Sequence, residues 1–137
     1  ADNIYVYLDY NLVKKKFLFM LLDNGISMNE QGLLNAMKFG SSDEDYDPDS
    51  DLGKFGMGLK TASMAHSDVL QVVAKSHDSD AVCFALNKKD IKKKDKWVYS
   101  RWDKHEIKTK LKKSIELIKE QSQNFEFNSK SCANIRL

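Results

Sequence analysis

All six glycines of this 137-residue chain fall between Gly25 and Gly58, and three of them stand in Gly53-Lys54-Phe55-Gly56-Met57-Gly58-Leu59-Lys60. Glycine tolerates positive φ and has no Cβ, so backbone N–H groups in such a run can close on an anion. The stretch that follows, Leu59-Lys60-Thr61-Ala62-Ser63-Met64, reads as a helix, whose N-terminus adds partial positive charge. Upstream, Asp23-Asn24-Gly25-Ile26-Ser27-Met28 holds an acid in a turn directly after an apolar run. An acid and a phosphate cradle within about forty residues of each other suggest a nucleotide site.

The length fits one domain over residues 1–137. The longest apolar run, Phe17–Leu22, is strand length, far from the roughly 20 residues a membrane-spanning helix needs. No membrane partner is expected, and the absence of a secretory pattern points to a cytoplasmic setting, or a nuclear one if the source is eukaryotic. Cys83 and Cys132 lack metal-ligand spacing and read as buried thiols. His66, His77 and His105 are scattered and read as surface or helix-end residues. The net charge of +2 hides a division, with residues 1–70 at −5 and residues 71–137 at +7. A basic half suits a polyanion, but the lysines lack interleaved aromatics, so nucleic-acid binding has only weak support.

Alternation of β-branched and aromatic residues predicts strands at Asn3–Asp9 and Phe17–Leu22, joined through a connection at 11–16. Phe17–Leu22 is apolar on both faces and reads as a central strand. A helix should begin near Asn29, with Leu33, Leu34 and Met37 at helical spacing, and stop at Gly40. Six acids between Asp43 and Asp51 surround the only proline, which predicts an exposed loop. Further strands are expected at 69–74, 81–86 and 97–102, with the Lys88–Lys96 run as a loop. Ile107, Leu111, Ile115 and Ile118 mark the stripe of a long helix, and Ile135 and Leu137 a last strand. The sum is α+β: a two-layer sandwich with a mixed sheet and helices on one face.

Three glycine templates fail on residues 53–60. In a Walker loop, Leu59 would stand where the lysine belongs; a Rossmann turn needs the order G-x-G-x-x-G after a strand; a kinase glycine loop joins two strands. The pair D-x-G at 23–25 and G-x-x-G-x-G at 53–58 instead resembles the GHKL ATPases, the group of gyrase B, MutL, histidine kinases and a heat-shock chaperone. With Phe39-Gly40-Ser41-Ser42 between the boxes and Leu59-Lys60-Thr61-Ala62-Ser63 after them, the chain looks most like the microrchidia-type branch. The motif-bearing resemblance covers about residues 17–75.

The resemblance implies ATP with Mg²⁺. Asp23 would accept from the adenine amine, Gly25 would admit the backbone to the base, and Met28 would pack on the ring. Gly53, Gly56 and Gly58 would cradle phosphates and Lys60 would add a cation. Phe55, Met57, Leu59 and Thr61 complete the nucleotide-binding set, although Phe55 and Met57 could equally be core residues. Residues 41–52 would form a lid. Ser27 stands where the family often has glycine, and Ser131-Cys132-Ala133-Asn134 stands where it usually has a Gly-Thr pair. The family's general-base glutamate and Mg²⁺-holding asparagine sit on a helix before the first strand, yet no glutamate precedes Glu30. No catalytic or metal-ligating residue can then be assigned, and the chain reads as an incomplete domain. Its parent could dimerise on nucleotide and clamp a partner. The rival reading is a non-hydrolysing interaction module that keeps the fold and uses its basic half.

Overall fold

The computed structural model describes residues 1–38, 58–122, 124, 125, 127 and 131–137. The expected stop at Gly40, the acidic lid, and Gly53, Phe55, Gly56 and Met57 lie outside them. Strands β1 (Ile4–Asn11) and β2 (Lys16–Asp23) form a hairpin. Its turn is held by Asn11, whose Oδ1 accepts from the Lys14 N–H at 2.8 Å, and Lys15 takes a left-handed φ of 49°. Next come α1 (Glu30–Met37), α2 (Gly58–His66), and a second hairpin of β3 (Val69–Lys75) and β4 (Val82–Asn87). Then follow α3 (Lys88–Lys94), β5 (Tyr99–Arg101), α4 (Lys104–Gln121) and β6 (Cys132–Arg136).

The strands make one six-stranded sheet in the order β1-β2-β6-β3-β4-β5. β2 is interior, as its two-sided apolar sequence demands, and the last strand threads between β2 and β3. The α+β sandwich is what forms, with two differences in detail. Every strand pairing among the described residues is antiparallel rather than mixed, because short turns join both hairpins and β6 runs opposite to both neighbours. The helices also occupy both faces.

Register fixes those faces. Leu21, Ile135, Val72 and Phe84 are aligned across the sheet, as are Leu22, Asn134, Val73 and Cys83. Residues directly opposite in an antiparallel pair share a face. On the first face Leu33 and Met37 of α1 join Leu70, Val72, Ala74, Val82, Phe84 and Leu86, with Leu59 of α2 and Ile91 of α3 packed alongside. On the second, Ile107 of α4 meets Val73 and Cys83, and Ile118 meets Tyr7, Met20 and Leu22. The isoleucine stripe of α4 thus covers the face opposite to α1. β4, with a helix layer on each side, is buried from Val82 to Leu86.

Lysines 88–94 form a short helix where a loop was expected. Asn87 caps it by accepting from the Lys89 N–H at 2.9 Å, and Asp95 ends it in the left-handed region. Lysine has good helix propensity, Ile91 anchors the turn, and the cations of the last turn suit the helix dipole. α4 opens on a capping box between Asp103 and Glu106, a feature that stabilises a helix start by about 1 kcal/mol.

Candidate functional site

Asp23 is the last residue of β2 and projects from the face that carries α1, since it is aligned with Ala133 of β6, which is aligned in turn with Ala74 of β3. Two alanines therefore floor the sheet beside the carboxylate, and Ala74 is fully buried. The Gly25 N–H donates to Asp23 Oδ1 at 2.8 Å. A Cβ on Gly25 would lie 2.9 Å from that same oxygen. A side chain at 25 would push the carboxylate from this position, so it is the closeness of Asp23 rather than φ that favours glycine there. Oδ2 of Asp23 makes no hydrogen bond among the described residues, so the turn orients the group and leaves one oxygen to accept.

The turn is tied down on both sides. Asn24 Oδ1 accepts from the Asp2 and Asn3 N–H groups at 3.0 and 2.9 Å. Ser27 adopts φ 57°, and its Oγ accepts from the Lys75 N–H at 3.2 Å. The left-handed conformation explains why a glycine suits this position. Ser27 offsets the strain of a side chain there, about 1–2 kcal/mol, by closing a hydrogen bond to β3. Ser27→Gly should leave the melting temperature nearly unchanged, the relief of strain cancelling the lost bond. Ser27→Val keeps the strain and loses the bond, and should lower stability by about 2 kcal/mol in chemical denaturation.

Met28 packs onto the α1 core cluster, and Asn29 caps α1 by accepting from the Gly32 N–H at 2.9 Å. A Cβ on Gly32 would approach Met28 Cβ to 3.2 Å, so a glycine inside the helix makes room for Met28. The structure therefore brings Asp23, Gly25 and Met28 together at one end of the sheet, beside the start of α1.

At the start of α2, Gly58 and Thr61 are exposed, Leu59 packs on the core, and Lys60 turns inward. Lys60 is only 3% exposed, and its Nζ donates to Ala36 O at 2.7 Å. Ala36 lies in the last turn of α1, where carbonyls lack helical partners. The neighbouring Met37 O accepts from Trp97 Nε1 at 2.9 Å. Two donors distant in sequence thus cap α1, and the ammonium faces the negative end of its dipole. Burial holds the Lys60 pKa below its ordinary value.

Burial, reinforced by Glu106, pushes the Cys83 thiol up to about 12. Burial outweighs the nearby Lys75 and raises Cys132 to about 11, with Asp23 adding to the rise. Both are inert buried thiols, as expected. His66, His77 and His105 are exposed. Among the described residues no group of three or more His, Cys, Asp or Glu could hold a metal ion.

Against this geometry, the sequence matches the family model for histidine kinase-, DNA gyrase B- and HSP90-like ATPases over residues 1–124. The chain belongs to this family. It is an ATP-binding domain of the GHKL ATPase type, with the family's α+β architecture. Comparison with curated proteins gives no match. No helix among the described residues is long and apolar enough to cross a membrane.

Sequence reasoning missed the alanine floor, the Asn24 tether and the capping role of Lys60. Asn24 was legible as the middle of an Asp-Asn-Gly turn. Nothing local to Ala74 or Ala133 marks them, because the sheet register alone places them beside Asp23.

Proposed function

We propose that this GHKL domain, of the microrchidia-type branch, holds adenine at Asp23 and phosphates at the glycine box. The observation that carries the reading is the Asp23 carboxylate, whose Oδ1 accepts from the Gly25 N–H while Oδ2 has no hydrogen bond among the described residues, beside two alanines of the sheet. An adenine amine would donate to Oδ2, whereas guanine would point its carbonyl oxygen at a carboxylate, an unfavourable pair. The two alanines put little side-chain bulk beside the carboxylate, and Met28 packs against the same core cluster as Ala74. Gly53, Gly56 and Gly58, with the first turn of α2 and Thr61, would receive the phosphates. Residues 41–52 would close over them, and the full-length parent would dimerise to clamp a partner. Mg²⁺ would accompany the nucleotide, held largely by the phosphates themselves, as Mg²⁺ commonly is. Isothermal calorimetry with ATP and GTP is the test. Equal affinity for both, or for neither, would remove the adenine assignment.

Hydrolysis needs a base near the γ-phosphate, and the acids nearest to the motifs in sequence are committed elsewhere. Glu30 Oε2 accepts from Arg101 Nη2 at 3.0 Å, and Asp9 is exposed at a position aligned with Leu18, on the face opposite to Asp23. The isolated chain should therefore bind ATP and release phosphate no faster than background at saturating Mg-ATP. Turnover that disappears in Lys60→Ala would show a base that this reading overlooks. Activity appearing only when a helix bearing glutamate and asparagine is supplied ahead of Ile4 would match the family pattern. The exposed lysines of α3 and α4 favour the rival, nucleic-acid-associated module; a chain that binds single-stranded DNA salt-dependently but no ATP would establish it.

A further inference from the structure

The turn that follows Asp23 is fastened to the sheet by two side chains. Ser27 Oγ holds it to β3 by accepting from the Lys75 N–H at 3.2 Å. Asn24 holds it to the chain entering β1. The first hairpin ends with Ile4 aligned to Asp23, and the Asn24 N–H extends the ladder one step by donating to Asn3 O at 3.4 Å. The Asn24 side chain then adds two shorter bonds, its single Oδ1 accepting from the N–H groups of Asp2 and Asn3 at 3.0 and 2.9 Å. A carbonyl oxygen has two lone pairs, so this acceptor is fully used. The chain held in this way also lies against the turn. A Cβ built on Gly25 would stand 2.9 Å from Asp23 Oδ1 and 3.4 Å from Ala1 Cβ.

These contacts bear on where the carboxylate points. The Asp23 backbone is fixed as the end of β2, but its Oδ1 follows the Gly25 N–H, and Gly25 stands beyond the last strand pairing. The place of that N–H depends on Asn24 and Ser27. A recognition group works only when held within about 0.5 Å of its productive position. With Asn24 truncated, one long backbone bond of 3.4 Å would remain towards β1. A looser turn leaves a smaller fraction of molecules with Oδ2 correctly aimed, and apparent affinity falls with that fraction. Linkage supplies the converse: a base that selects the placed turn also favours the tethered form of residues 2 and 3.

We propose that Asn24 is a positioning residue of the base site: by clasping residues 2 and 3 it sets where the Gly25 N–H holds the Asp23 carboxylate, and it couples occupancy of that site to the order of the chain entering β1. Asn24 acts through Asp23 and touches no nucleotide. The inference rests on the adenine reading of Asp23.

Calorimetry with adenosine and with ATP, beside amide exchange in ¹⁵N-labelled protein, tests it on the parent chain and two variants. Adenosine should slow solvent exchange of the Asn3 amide in the parent chain by about fivefold or more. Asn24→Ala should lose that protection. It should also weaken adenosine and ATP by the same factor, about tenfold, because the defect lies at the base and not at the phosphates. Asn24→Asp keeps an oxygen able to accept from both N–H groups, and should recover affinity and protection to within about threefold of the parent chain. A residue that merely held the fold together would not link Asn3 exchange to adenosine. Unchanged adenosine affinity in Asn24→Ala, Asn3 exchange that ignores adenosine bound to the parent chain, or an Asn24→Asp variant that binds like the alanine variant would each overturn the proposal. A parent chain that binds neither ligand removes the adenine reading and this coupling with it, and the calorimetry tells that failure from the other three.

Discussion

Asp23→Asn is expected to weaken ATP binding by about 10- to 100-fold and to erase the preference for ATP over GTP. The substitution keeps size and shape but replaces an acceptor-only group with one that also donates. In the native site the Gly25 N–H occupies one carboxylate oxygen at 2.8 Å. An asparagine satisfies that N–H with its own carbonyl oxygen, and its NH₂ then faces the base. The amide hydrogens would meet the adenine amine, donor against donor, whereas guanine O6 would find a partner. A buried hydrogen bond to a charged group is worth roughly 1.5–3 kcal/mol, which sets the range. The measurement is calorimetric titration of both nucleotides into both proteins, with thermal unfolding as the control. Unchanged ATP affinity in a folded Asp23→Asn variant would place the base elsewhere.

How much of this was legible beforehand depended on whether the cause was local. Strands with alternating or two-sided apolar residues, and the α4 stripe of Ile107, Leu111, Ile115 and Ile118, declare themselves because periodicity is a local signal of burial. The site turn did so too, since an acid before a glycine can bond its own backbone two residues on. What stayed hidden came from long-range geometry. The choice of face for α4 follows from which side of β2 and β4 its stripe meets, and no window of sequence contains both. β6 sits at the middle of the sheet although it is last in the chain. The lysine run at 88–94 misled because charge suggested solvent, while Asn87 and Ile91 supplied a cap and an anchor. Ser27 was legible as an exception to the family pattern. Its left-handed φ and its bond to Lys75 explain how the exception is accommodated.

Lys60 shows the same limit, and its two substitutions should separate two roles. Lys60→Ala removes the donor from Ala36 O and leaves an unfilled space among buried side chains. A loss of about 2–3 kcal/mol in stability is expected. Lys60→Met fills the space and removes the desolvated charge at the cost of the same bond, so its stability should stay within about 1 kcal/mol of the parent chain. Linkage gives this a pH signature. Burial lowers the Lys60 pKa in the folded state from its ordinary 10.5, so the unfolded chain holds that proton more tightly. The penalty is fully present below the folded value and is lost as pH rises from there towards 10.5. Any stability advantage of Lys60→Met should therefore be largest at neutral pH and shrink across that window. Nucleotide binding supplies the second axis. If the ammonium leaves Ala36 O to meet the outer phosphates, Lys60→Met should weaken ATP about tenfold or more and adenosine hardly at all. If it acts only as the cap of α1, the methionine variant should bind ATP and adenosine with their original ratio. Denaturation of both variants between pH 7 and 10, alongside titrations with ATP, ADP and adenosine, distinguishes a phosphate ligand from a helix cap at one lysine.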